Sequence, residues 1–417
     1  MPTNSCYVYL HLQKGFVPVG KLTMRQNGEQ LSSEFAYGRR YLERPNALSI
    51  DPRQLPLTSE RFQTLGLFGC FRDASPDGWG RHLLDRAAEE HGTHPSEFEY
   101  LTVLDQQNRI GALAFGMDLS GPKPYTPAWR PKRIAGDGLD LQKMLEAADA
   151  VMNYEELKPE YRRFLVRGSS VGGAQPKATL EFEGRPWIAK FSQKLESWPT
   201  CRIELAAMRL AAACGIRTAA SRLVHVAGGR DILLSERFDR APNGNRLPYL
   251  TAMSLTGVPE MHMGSYGDIA RSMRRFCDAD TLSEDLAELF RRMVFNILCN
   301  NTDDHQCNHA FLYSFERRTW RLSPAYDVVP QPLFYETGPS RLTLGVGESG
   351  TLATLPNALS HCEDFLLTKE QARGIVRNMH ARVHKHWQQV NQDAGVPEEK
   401  LPALAQAYHV AASPYEE

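Results

Sequence analysis

The sequence predicts an α+β protein, with a first half that mixes strands and helices and a second half dominated by helices. Three observations point there. Short strand-like runs separated by turn residues fill the first 118 residues, a strand, strand, helix, strand, strand order follows in the middle, and from about residue 251 apolar residues recur at helical spacing. At 417 residues the chain is too long for one small core, and its length points to roughly two or three domains.

Within residues 1–118, SCYVYLHL and PVGKLTM read as strands, and FRDASPDGWGRHLLDRAAEEHG reads as a helix. There Ser75 can cap and Pro76 can start the helix, with Trp79, Leu83 and Leu84 on its apolar face. Residues 119–138 include SGPKPYTPAWRPKR, with prolines at Pro122, Pro124, Pro127 and Pro131, and read as an extended connector. Residues 139–250 begin with a helix in LDLQKMLEAADAVM. A hairpin then turns at Glu183–Gly184, the helix CRIELAAMRLAAACG ends at Gly215, and the strands SRLVHV and DILLSERF are joined by Ala227, Gly228, Gly229 and Arg230. Residues 251–417 contain TLSEDLAELFRRMVFNILCN. Here Thr281 and Glu284 match a capping box, and Leu286, Leu289, Phe290, Met293, Val294, Ile297 and Leu298 form the apolar face. The polar run NNTDDHQCN follows as a loop, then HAFLYS and WRLSPAYD as two strands around FERRT. There is no internal repeat or low-complexity tract.

Composition excludes several classes. Hydrophobic residues at 42% and charged residues at 23% are the balance of an ordinary globular protein. No apolar run reaches the roughly 18 residues of a membrane span, and MPTNSCYVYLHLQKG lacks the layout of a signal peptide, so a cytoplasmic protein without membrane contact is expected. The eight cysteines form no CxxC pair, which argues against a zinc framework or redox motif and for free thiols. A net charge of −1 argues against a globally basic nucleic-acid binder but leaves a local basic face open.

The order of helix, polar loop, hairpin and aspartate carries a chemical meaning. Phosphoryl transfer depends mostly on positioning and charge neutralisation: an Asp orients the attacking hydroxyl, an Asn farther along the loop holds Mg²⁺, and a second Asp beyond a hairpin holds Mg²⁺ too. Asp303 and Asn308 have the spacing of the kinase loop H-R-D-x-x-x-x-N, and Asp327 follows the hairpin. Upstream, Lys190 on RPWIAKF and Glu204 on the next helix match the phosphate-binding lysine and its helix partner. Gly172 and Gly173 in SSVGGAQPK, with Ala174, fit a turn whose backbone approaches phosphates, and Gln175 and Lys177 could add contacts. Backbone groups of Glu236 and Phe238 in ILLSERFDR could bond adenine.

Blander readings compete with each of these. NNTDDHQCN alone reads as a solvated helix-end loop, Lys190 and Glu204 as a surface lysine and a helix-start glutamate, and Phe238 as a core residue. His305 and His309 stand four apart, but the glutamate of HExxH is absent. Gly345, Gly347 and Gly350 match G-x-G-x-x-G, yet Pro356 follows too soon for a dinucleotide fold, and a flexible loop is expected. No nucleophile elbow is present.

SVGGAQPK, WIAKF, SERFDR, NNTDDHQCN and LSPAYDVVP, in this order, resemble the HipA family of bacterial Ser/Thr kinase toxins from type II toxin–antitoxin modules. VGKL, FAYGRRYL, ALSIDPRQLPL and SPDGWGRHLLDRA resemble that family's small N-terminal subdomain. The resemblance implies a protein-kinase-like two-lobed fold, with a mixed α/β N-terminal lobe, the extra subdomain and an all-helical C-terminal lobe, and with ATP and Mg²⁺ between the lobes. It implies Asp303 as catalytic aspartate, Asn308 and Asp327 as Mg²⁺ ligands, Lys190 as phosphate-binding lysine, and Glu236 with Phe238 as adenine hinge. Glu204 and His305 are expected in support. Asp304, His305 and Cys307 have no necessary role and are expected to tolerate change better than Asp303. Ser170, or Ser169 beside it, matches a serine whose autophosphorylation inactivates the family's enzymes. The implied function is an ATP-dependent protein Ser/Thr kinase toxin acting on a translation protein such as an aminoacyl-tRNA synthetase. The implied partner is a helix-turn-helix antitoxin of HipB type, through which DNA is contacted indirectly. The alternatives are a kinase-shaped corepressor working through that antitoxin, or a small-molecule phosphotransferase.

Overall fold

The computed structural model describes residues 3–130, 140–156, 158, 161, 164, 168, 173, 175–194, 196–333 and 340–414. The chain divides into two compact units, Met1–Lys194 with Val224–Leu250, and Leu195–Leu223 with Thr251–Glu417.

The first unit opens on a five-stranded antiparallel sheet in the order Arg61–Leu65, Gln30–Tyr37, Gly15–Asn27, Thr3–Leu12 and Leu113–Gly116. Val8, Leu10, Leu22 and Phe35 supply its buried face. The helix Gly78–Glu89 starts two residues later than Ser75 and Pro76 suggest. Its N-cap is Asp77, while the Ser75 N–H closes the preceding short helix on Arg72 O at 3.0 Å. Trp79, Leu83 and Leu84 are buried as expected, in one core with Met144 and Leu145 of helix Leu141–Met152. Trp129, in the proline-rich stretch, is buried in the same core.

That core also covers a second sheet, ordered Lys177–Phe182, Arg185–Phe191, Arg230–Glu236, Ser221–Val226, to which it joins Ala178, Leu180, Ala189, Phe191, Ile232 and Leu234. The hairpin turns at Glu183 and Gly184, whose φ angles of 52° and 72° give the mirror-image two-residue turn that matches strand twist.

In the second unit, helix Leu282–Leu298 buries Leu286, Leu289, Phe290, Met293, Val294, Ile297 and Leu298 at 1% exposure or less. The expected capping box does not form. Thr281 sits at φ −113°, ψ 5°, outside the extended cap conformation, and makes no side-chain cap bond. The capping box of this unit is at Thr368 and Gln371, opening the long helix Lys369–Asp393, which packs against helix Thr200–Ala213. The latter ends as expected at Gly215, φ 82°. The strands Ala310–Ser314 and Thr319–Leu322 form the expected hairpin. The Gly345–Gly350 segment is a bridged turn, not a flexible loop: Val346 N–H donates to Gly350 O at 2.8 Å, and the Asn357 amide bonds Ser349 N, Gly350 O and Leu352 O. Pro356 falls in the first turn of helix Leu355–Ser360. Among the described residues no helix is long and apolar enough to cross a membrane.

Candidate active site

The polar loop at the end of helix Leu282–Leu298 begins with a left-handed residue. Asn300 has φ 51°; its N–H donates to Ile297 O at 3.3 Å, and the Asn301 N–H donates to Asn296 O at 2.9 Å. This is the paired closure usually built on glycine, and Asn is the side chain that tolerates it best. Below the loop runs a buried chain of hydrogen bonds. Asn301 Nδ2 donates to Asn296 Oδ1 at 3.1 Å, Asn296 Nδ2 to the Tyr266 hydroxyl at 3.0 Å, and that hydroxyl to Asp304 Oδ2. His309 Nε2 meets the same oxygen at 2.8 Å. Burial alone would raise the Asp304 carboxyl, but the His309 ring, with hydrogen bonds from His309 and Tyr266, holds it below the ordinary carboxylate range. The expectation that Asp304 is a tolerant position is therefore corrected: it is 3% exposed and anchors the loop.

Asp303, its neighbour, is exposed. Asn308 is buried behind it and donates its Nδ2 to Asp303 O at 3.3 Å, which leaves its amide oxygen as an acceptor. The segment carrying Asp327 lies along the same loop. Tyr326 OH donates to Cys307 O at 2.6 Å, Val329 N to Asn301 Oδ1 at 3.4 Å, and Gln331 N to Asn300 O at 3.1 Å. Asp327, between these ties, has φ 60°, a conformation uncommon for a non-glycine residue and frequent at functional sites. An amide oxygen and a carboxylate on adjoining segments are the hard oxygen donors that suit Mg²⁺.

His305 is half-buried, with its ring edge-on to His262 at 5.4 Å. Burial pushes its imidazole below the ordinary value, against the pull of Asp303, Asp304 and Asp327. Gln306, which the sequence reading passed over, is fully buried; it ties the loop to the Met261–Met263 segment through Met261 O and Met263 O at 3.0 and 3.1 Å. Its position inside a polar run gave no sign of burial. Glu204, on helix Thr200–Ala213 of the same unit, is 3% exposed.

In the first unit, Lys177 and Lys190 stand directly opposite each other on the hairpin, each 6% exposed. Like charges directly opposite each other across a strand pair repel. Gln175 Nε2 donates to Phe191 O at 3.3 Å. Gly173 is held by the start of helix Gly78–Glu89: its N–H donates to Asp77 Oδ1 at 2.7 Å and its carbonyl accepts from Trp79 N at 2.8 Å. Gly172, Ala174, Ser169 and Ser170 lie outside the described residues.

Glu236 ends its strand opposite Trp187, with its carboxylate 3.3 Å from Arg185, and Phe238 is half-buried in the loop beyond. The sequence reading missed what fixes this loop. Arg237 and Arg240 close on the buried Asp239, which also accepts from Gly111 N at 2.7 Å, and Arg237 reaches Asn108 O and Arg109 O. Burial would raise the Asp239 carboxyl, but the two guanidinium groups hold it far below the carboxylate range. RFDR displays the charges; the backbone they bind is over 120 residues away.

Comparison with known proteins places these features. Residues 169–387 match the HipA-like C-terminal domain, and residues 10–116 match the HipA N-terminal domain. Y4dM of Sinorhizobium fredii, a protein carrying a kinase designation, is 28% identical over 360 residues, covering 81% of this chain and 80% of that one. Toxin YjjJ of Escherichia coli is 28% identical over 225 residues, covering 49% of this chain and 48% of that one. HipA in the Shewanella oneidensis MR-1 complex of HipA, HipB and operator DNA superposes with a TM-score of 0.63 at 17% identity, over 97% of this chain and 95% of that one. The fold is thus the kinase-like α+β fold of HipA. With one family domain matched over more than half of this chain and a second over the region before it, the chain belongs to the HipA family.

Proposed function

We propose that the protein is an ATP-dependent protein kinase that phosphorylates serine or threonine hydroxyls and acts as the toxin of a toxin–antitoxin module. The observation that carries this reading is the loop geometry: Asp303 exposed, Asn308 buried behind it with its amide oxygen available, and Asp327 tied alongside. Family membership and the names of the relatives support the same class of chemistry.

Magnesium ATP, when bound, supplies the γ-phosphoryl group and a divalent charge on its oxygens. Asn308 Oδ1 and the Asp327 carboxylate would hold the cation. Asp303 would accept a hydrogen bond from the substrate hydroxyl, aim its oxygen at the γ-phosphorus and take its proton as the new P–O bond forms, while the bond from that phosphorus to the β,γ-bridging oxygen breaks and ADP leaves with the electron pair. Lys177 and Lys190 offset phosphate charge, and the Asn300–Asn301 turn keeps the Asp303 backbone in place. Glu236 and Phe238 offer backbone groups to adenine. Phosphorylation at Ser169 or Ser170 would add nearly two negative charges beside a turn built for phosphates and switch the enzyme off. A HipB-type antitoxin, and operator DNA through it, are the proposed partners, because the structural neighbour is a complex with both. An aminoacyl-tRNA synthetase or another translation protein is the proposed substrate.

The test is label transfer from γ-labelled ATP. Asp303→Asn is expected to cut transfer by about 10²–10⁴-fold, as loss of a general base does, and Asp327→Asn to abolish it. Undiminished transfer in either variant rejects the assignment. Phosphoproteomics after induction identifies the substrate.

A further inference from the structure

The start of helix Gly78–Glu89 grips one glycine of the phosphate-binding turn from both sides. Asp77 Oδ1 accepts from the Gly173 N–H, and the Trp79 N–H donates to the Gly173 carbonyl. The Trp79 indole Nε1 then donates to Lys177 O at 2.9 Å, so the turn and its exit onto the strand share one anchor. Gly173 has φ +88°, and a Cβ there would lie 2.8 Å from Lys177 Nζ, so the ammonium rests over the glycine. The helix is no loose arm, since Trp79 and Leu83 are buried in one core with Ala178, Leu180 and Phe191 of the sheet. An aspartate at an N-cap ordinarily bonds an amide of its own helix. Asp77 makes no such bond. Its carboxylate is committed to Gly173 instead, a use that a purely structural helix start does not require.

We propose that Asp77 and Trp79 are positioning residues for the nucleotide phosphates, which makes the HipA N-terminal domain region a working part of the ATP site. The inference rests on the kinase reading above. Glycine loses more conformational freedom on ordering than any other residue, and that loss opposes binding. The grip orders Gly173 beforehand and presents the Lys177 ammonium in a fixed direction. Because the Gly173 N–H is already donated to a carboxylate, Lys177 rather than this amide meets the phosphate.

The test compares the full-length wild type with Asp77→Asn and Asp77→Ala, measuring KM for ATP and kcat in label transfer. Hydrogen exchange of the Gly173-containing peptide is followed without nucleotide. Asp77 is exposed, so neither substitution empties the core. Asp77→Ala is expected to raise KM for ATP roughly three- to tenfold, the scale of one typical intramolecular hydrogen bond, with kcat nearly unchanged and faster exchange at the turn. Asp77→Asn keeps an oxygen acceptor and is expected to restore both readouts. An unchanged or lower KM in Asp77→Ala, with the wild type active, overturns the positioning role alone. A wild type that transfers no phosphate overturns the kinase reading, and this role with it.

Discussion

Asp303 and Asp304 are adjacent carboxylates in opposite surroundings: one exposed at the tip of the loop, the other buried between Tyr266 and His309. The difference separates their mutants. Asp304→Ala strands two buried hydrogen-bonding groups, and a loss of about 3 kcal/mol is expected from the usual cost of breaking hydrogen bonds to a charged group. Denaturant titration measures it, and Asp303→Asn serves as the comparison with little change in midpoint. The sign of the pH dependence follows from the depressed carboxyl of Asp304. A group whose folded value lies below its unfolded one stabilises the fold above about pH 4 and loses that contribution as pH falls through the folded value. Acid should therefore destabilise the wild type more than Asp304→Asn. The sequence showed two carboxylates at this point. Which one faces solvent depends on Tyr266, 38 residues away.

Helix ends separate local signals that act from those that do not. Thr281 and Thr368 each precede a Glu or Gln by three residues, yet only Thr368 has the extended backbone, ψ 158°, that carries its hydroxyl to the third helical amide. Thr368→Ala is expected to cost about 1 kcal/mol and Thr281→Ala no more than about 0.5 kcal/mol. Thermal midpoints of the two variants check the ranking, and equal losses would mean that the Thr281 hydroxyl caps in solution. The hairpin at Glu183–Gly184 and the close at Gly215 were legible because turn chemistry is local. The start of helix Gly78–Glu89 was not, because Asp77 is drawn to Gly173, 96 residues on.

At the scale of the whole molecule, the buried Asp239 cluster joins the loop after strand Arg230–Glu236 to the 108–111 backbone. Removing the single carboxylate leaves Arg237 and Arg240 uncompensated. Asp239→Ala is therefore expected to destabilise the first unit by about 3–5 kcal/mol. A fall in denaturant midpoint measures it, and an unchanged midpoint would show that the backbone carbonyls alone satisfy the guanidinium groups. Acidification acts in the same direction as for Asp304, since the Asp239 carboxyl is also held low in the fold.

The sequence by itself determined the α+β class, the hairpins at Glu183–Gly184 and Ala310–Leu322, the helices Thr200–Ala213 and Leu282–Leu298, and the D-x-x-x-x-N spacing with Asp327 beyond a hairpin, because periodicity, turn residues and short spacings are properties of neighbouring positions. Only the tertiary structure decided that Asp304 anchors the loop while Asp303 is exposed, that Asp77 holds Gly173, and that Asp239 gathers two arginines against a distant loop. Burial and hydrogen-bond partnership depend on which distant segments the fold brings within about 3 Å, and no local pattern encodes that choice.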